Sequence, residues 1–146
     1  MSRRVYVAAS WRTPGQPVVV EKVREWGHEV YDFRDHGFGW KQIDPSCGPG
    51  PWPSEKYLDV LRHPIARQGF WRDMGALAWC DTLILVMPAG RSACAEFGWA
   101  VGQRKRTAVV IEYQQEPDLM FAMADLVTPF YGALEDWLNE CSGVVE

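Results

Sequence analysis

The chain has 146 residues, 47% hydrophobic and 23% charged, enough for one continuous core and too few for a second domain of ordinary size. Its formal charge is −4 and its Lys and Arg are scattered, which excludes a nucleic-acid polymer as partner, because phosphate backbones are held by concentrated positive charge. The basic start Met1-Ser2-Arg3-Arg4 precedes an apolar run too short for a signal peptide, and no stretch reaches membrane-spanning length, so a soluble cytoplasmic protein without membrane contact is expected.

In chain order, residues 5–9 form a short β-rich run. A helix follows over about 17–26, with Val19, Val20 and Val23 on one side and Gly27 where it should stop. Residues 29–33 alternate like a second strand, and this β-α-β opening implies a parallel sheet covered by helices. From about 36 to 53 the chain is crowded with Gly and Pro beside Phe38, Trp40 and Trp52, which predicts a long aromatic loop without regular structure. Its tryptophans either stack on a ligand or pack on the domain surface.

Helical pattern returns over 54–62 and 65–80, followed at 82–87 by the most apolar strand, expected to be central. A turn at Pro88-Ala89-Gly90-Arg91 opens a helix over about 92–103, and 107–111 forms another buried strand. Two helices, near 119–126 and 131–141, complete the order. The expectation is a single-domain α/β protein spanning residues 1–146, with a doubly wound open parallel sheet of four or five strands, flavodoxin- or Rossmann-like. Such sheets bind ligands beyond the carboxyl ends of their strands, so the segments near Ser10, Ala89 and Glu112 should converge.

The segment from Gly90 to Ala100, GRSACAEFGWA, places small residues and free backbone N–H groups at a helix start directly after the central strand, a ready anion site. Ser92 is the expected cap, and Glu96 lies about one turn further on. Its carboxylate either points back at the strand ends or closes a capping box with Ser92. Asp73 lies on the helix entering the central strand; it either supplies a second carboxyl to the site or is a solvated residue paired with Arg72. Two acids in different environments suit glycosidic chemistry, where one attacks or stabilises the cationic sugar carbon and the other protonates the leaving group.

Cys47, Cys80, Cys94 and Cys141 are widely separated without a Cys-x-x-Cys pair, which predicts four reduced thiols and no zinc or disulfide framework. Cys94, at a helix start, is either a nucleophile or a small packed thiol. No metal-ligand cluster is evident.

The first strand with Ser10 and Trp11, the interval from Asp73 to Asp81, the Gly-x-Ser-Ala-x-x-Glu-x-Gly-x-Ala segment ending at Ala100, and Glu116-Pro117-Asp118-Leu119-Met120 occur in this order over nearly the whole chain. In this the sequence resembles the nucleoside 2-deoxyribosyltransferase family, and within it a branch found in phages and bacteria. The same superfamily holds the 2′-deoxynucleoside 5′-monophosphate N-hydrolases, which release the base to water. The resemblance implies Glu96 as the nucleophile of a covalent glycosyl intermediate, Asp73 as the acid assisting departure of the base, and Tyr6 as the residue orienting Glu96. Ser10, Trp11, Gly90, Arg91, Ser92 and Trp40 are implied to line the substrate site. Asp118 and Met120 would reach into a neighbouring subunit, implying a homo-oligomer with shared sites.

The family often has Asn where this chain has Asp118; a carboxylate there accepts a sugar 5′-hydroxyl and repels a 5′-phosphate, whereas Arg91 and Ser92 suit a phosphate. The expected partner is therefore a small-molecule nucleoside or nucleotide, with neither cofactor nor metal required. The competing readings are a non-catalytic nucleotide-sensing module and a glycohydrolase of dinucleotides such as NAD, which the missing Gly-x-Gly-x-x-Gly loop disfavours.

Overall fold

The computed structural model describes residues 1–46 and 51–141; Cys47 and part of the aromatic loop lie outside them. Five strands, β1 (Arg4–Ala8), β2 (Glu29–Asp32), β3 (Thr82–Val86), β4 (Arg106–Val110) and β5 (Leu126–Thr128), form one parallel sheet in the order β2-β1-β3-β4-β5. Five helices, α1 (Gln16–Glu25), α2 (Ser54–Arg62), α3 (Pro64–Trp79), α4 (Arg91–Gly102) and α5 (Tyr131–Asn139), connect and follow them. The chain winds outward from β1 to β2 and then crosses back to β3, so the order reverses between β1 and β3; at that point the loops leaving adjacent strands part and open a crevice.

Side-chain alternation divides the core between the two faces of the sheet. Val5 and Val7 of β1, with Ile84, Val86, Ala108 and Val110, pack against Val19, Val20 and Val23 of α1 and Leu134, Trp137 and Leu138 of α5. Tyr6, Ala8, Leu83, Leu85 and Val109 face the other way, onto Ala76 and Leu77 of α3 and Ala93, Phe97 and Ala100 of α4. Every residue of β3 is buried, as its unbroken apolar run requires of a central parallel strand. Truncating such a side chain, for example Ile84→Ala, costs about 2–5 kcal/mol.

Helix ends follow local chemistry. Pro17 occupies the first turn of α1, where a missing N–H costs nothing, and Gly27 just past its end takes φ 89°, a left-handed conformation that ends the helix cheaply. At the carboxyl end of α5, buried Arg3 donates to the carbonyls of Leu138 and Glu140, placing a cation where the helix leaves acceptors unpaired.

The structure departs from the sequence expectation in the carboxyl-terminal third. No α-helix spans 119–126: Leu119–Met123 is a short 3-10 helix, and Leu126–Thr128 is an edge strand paired with β4. Asp118 caps the turn by accepting the Met120 N–H at 2.9 Å. Three residues show no periodicity, so pairing with Ala108–Val110, rather than any local pattern, makes them a strand. Within the aromatic loop, Phe33–His36 and Trp40–Gln42 form 3-10 turns where no regular structure was expected.

Candidate active site

A cavity of about 590 Å³, within the range of small-molecule sites, opens at the switch point. Ala9 to Arg12 come from the loop after β1; Phe33, His36, Phe38, Gly39 and Trp40 from the segment after β2; Gly69, Arg72 and Asp73 from α3; and Arg91, Ser92 and Glu96 from α4. The loop after β4 does not join them. Glu112 instead accepts the Tyr131 hydroxyl and abuts Gly15, among α1 and α5 on the other side of the sheet. The segment after β2 takes its place, because the strand order opens the crevice beside β1 and β3 and leaves β4 outside it.

Gly90, with extended backbone, is the cap of α4 and has no side chain to bond the free N–H groups, and Ser92 is already the second helical residue. The capping box between Ser92 and Glu96 is therefore not formed, and Glu96 is available to the cavity. From beneath, buried Tyr6 donates its hydroxyl to Glu96. Burial and, after it, the charge of Asp73 raise the Glu96 carboxyl from 4.5 to about 7, opposed by the Tyr6 hydrogen bond. Burial, followed by the charges of Glu96 and Asp73, pushes the Tyr6 phenol far above its ordinary range, so it remains a donor.

Asp73 is partly buried and is not a solvated partner of Arg72. Its Oδ1 accepts the Tyr31 hydroxyl at 2.8 Å. Burial raises its pKa, while that hydrogen bond and then the neighbouring Arg72 and His36 oppose the rise. The two acids thus share one cavity, each bonded to a tyrosine and each within the other's field. Tyr31 escaped the sequence reading: the alternation of β2 was visible, but only the register that opposes Tyr31 to Tyr6 reveals its direction.

The remaining expected residues divide clearly. Trp11 lines the cavity edge-on to Phe33, with the Arg34 guanidinium over its ring and bonded to its carbonyl at 2.8 Å. Ser10 also lines it, and its hydroxyl accepts the Arg12 N–H. Trp40 lines the cavity while packing edge-on against Phe38 and Trp52. Phe38 lies on Gly69 of α3, where an added Cβ would press the ring at 3.4 Å. Arg91 and Ser92 are exposed at the cavity, with Arg12 and Arg72 as further cations. Asp118 and Met120 are exposed and outside it. Burial, with the charge of Asp118, raises the Cys94 thiol, the reverse of an activated nucleophile.

These features define a doubly wound α/β protein with a paired-acid cavity at its switch point. No protein-family profile matches the sequence, and no curated protein is similar to it in sequence. Among solved structures, the fold is similar to that of a 2-deoxyribosyltransferase from the psychrotolerant bacterium Bacillus psychrosaccharolyticus, with a TM-score of 0.64, 16% identity and 90% of each chain covered. It is also similar to a conserved protein from Enterococcus faecalis V583, with a TM-score of 0.62, 10% identity, and 94% of this chain and 98% of that chain covered. At these identities the likeness establishes the architecture over almost the whole chain.

Proposed function

We propose that this chain breaks the N-glycosidic bond of a deoxynucleoside or nucleoside 5′-monophosphate and passes the sugar to a second base or to water. The observation that carries this reading is that Asp73 and Glu96 line one cavity, coupled through their charges and each held by a tyrosine. The 2-deoxyribosyltransferase of similar fold supports the same chemical class.

In the first half-reaction a Glu96 oxygen attacks C1′, the C1′–N bond breaks, and its electron pair leaves on the base, which takes a proton from Asp73. In the second, the acceptor attacks C1′ while giving its proton to Asp73, and the bond to Glu96 breaks, restoring the carboxylate. Just below neutrality the pair still retains a proton. Positive charge developing at C1′ favours the form with Glu96 ionised and Asp73 protonated, so one proton serves both roles.

Arg91 and Ser92 supply a cation and a donor at the amino end of α4, and Arg12 and Arg72 add positive charge to the same cavity, an environment suited to a 5′-phosphate. Trp11 and Trp40 offer faces for the base. Asp118 and Met120 are assigned to the cavity of a partner chain in a homo-oligomer. The test is incubation with a panel of nucleosides and their 5′-monophosphates, with and without a second free base, reading products by chromatography. Release of base that Glu96→Ala abolishes supports the reading; ligand binding without turnover by the native chain overturns it.

A further inference from the structure

Tyr6 and Tyr31 are direct partners in the parallel pairing of β1 with β2. Side chains opposite each other on neighbouring strands project from the same face, and here the two rings stack with centroids 5.1 Å apart and an angle of 22°. His36, from the 3-10 turn that follows β2, continues the stack on the far side of Tyr31, also at 5.1 Å and with an angle of 21°. The two phenols are thereby fixed side by side, yet they serve acids on different helices: Tyr6 bonds Glu96 of α4, and Tyr31 bonds Asp73 of α3 at 2.8 Å.

Resting on the glycosidic reading above, we propose that Tyr31 is a positioning residue of the reaction, its hydroxyl fixing the direction and proton affinity of Asp73 as Tyr6 does for Glu96. A ring held between two others has little rotational freedom, so the phenol is aimed before substrate arrives. Its hydrogen bond favours the ionised carboxylate, which keeps Asp73 ready to release its proton to the base. The titratable groups around Asp73 are Tyr31 from β2, Tyr6 from β1, His36 from the turn after β2, Arg72 beside it on α3, and Glu96 on α4. Tyr31 carries no charge, so its hydroxyl can be removed without changing the charge of the cavity.

The experiment is Tyr31→Phe, which retains the ring and its stack and removes only the hydroxyl. With a substrate whose base needs protonation, kcat is expected to fall ~10- to 100-fold, the span covered by losing one hydrogen bond to a charged group. With an N7-methylated purine nucleoside, whose cationic base leaves neutral without a proton, kcat should change by less than ~3-fold, as should KM for both substrates. In the Asp73→Asn background the same substitution should have no further effect.

Carbon-13 NMR titration of carboxyl-labelled aspartates gives a readout independent of turnover: the Asp73 resonance is expected to titrate at higher pH in Tyr31→Phe than in the native chain. An unshifted titration, an equal loss with both substrates, or a loss that persists with Asp73→Asn overturns the role of Tyr31. If the native chain turns over nothing, the glycosidic reading fails by itself, while the titration still decides whether Tyr31 controls Asp73. Tyr31→Leu, which removes the stack as well, serves as the comparison should Tyr31→Phe melt early; a displaced titration in both variants is expected if the hydroxyl is responsible, and displacement only in Tyr31→Leu overturns it.

Discussion

The Asp73 carboxylate is, after burial, the main reason that the Glu96 carboxyl titrates at about 7 instead of 4.5. This coupling sets a cost on the folded state. Below pH ~4, Glu96 is protonated in the folded chain and largely so in the unfolded one, and it contributes little difference. Between 4.5 and 7 the unfolded chain has released a proton that the folded chain retains, so stability falls as pH rises through this window and the loss is complete above it. Glu96→Gln has no charge to confine. Its melting temperature should exceed that of the native chain at pH 8 and match it at pH 4, with a gain on the order of 1–3 kcal/mol, since each tenfold change in proton affinity is worth ~1.4 kcal/mol. Equal melting temperatures at both pH values would show that Glu96 is not held in a strained ionisation state.

The same coupling predicts the pH dependence of turnover. If the reaction needs one proton in the pair, kcat/KM rises as the doubly protonated form loses its first proton, and falls again as the last leaves near pH 7. A bell with its alkaline limb close to 7 is therefore expected. A profile that climbs through 7 to a plateau would mean that Glu96 acts with no acid beside it.

How far the sequence alone led depends on the range over which each signal acts. The apolar run of β3, the small-residue start of α4 and the helix stop at Gly27 are local, and the structure has them where the pattern put them. For Asp73 and Glu96 the local pattern leaves a solvated residue and a capping partner as alternatives, and the resemblance to a family is what singles them out. Tyr31 and His36 could not, since their relation to Asp73 depends on the register of β2 and on a turn that only tertiary contacts shape. For the same reason β5, three residues long, was not expected, and its first residue Leu126 fell at the end of the helix expected near 119–126. Glu112 was expected at the site because it follows a strand, but the strand order excludes it.

Asp73→Asn separates proton delivery from charge stabilisation. The amide keeps the size of the side chain and can still accept from Tyr31, but it has no proton of suitable acidity to deliver. Natural nucleosides with poorly leaving bases should lose ~10²- to 10⁴-fold in kcat, the range of general acid catalysis, and an N7-methylated purine nucleoside should lose little. Loss of the same size for both would assign Asp73 to electrostatics or to binding.

Arg91→Ala tests what the cations at the cavity recognise. Arg91 is exposed at the first position of α4, so its removal should leave the melting temperature within ~0.5 kcal/mol equivalent. If it holds a 5′-phosphate, KM for monophosphates should rise ~10-fold or more, as expected for one charge-assisted hydrogen bond, with nucleosides unaffected. Equal changes for both substrate types would remove the phosphate from the proposal.

Thr13 joins the two loops that frame the crevice. Its buried hydroxyl accepts the Ser10 N–H at 3.0 Å and donates to the Pro88 carbonyl at 2.5 Å, tying the loop after β1 to the loop after β3. Thr13→Val keeps the branched shape and deletes both bonds, leaving a partly buried N–H without its acceptor. The expected cost is about 1–3 kcal/mol of stability, measured by denaturant unfolding. Because Ser10 and Trp11 lie on the tethered loop and Arg91 on the other, their separation should loosen and KM should rise, while Thr13→Ser, which retains the hydroxyl, restores both. Destabilisation with KM unchanged would mean that the tether holds the fold together without setting the width of the site.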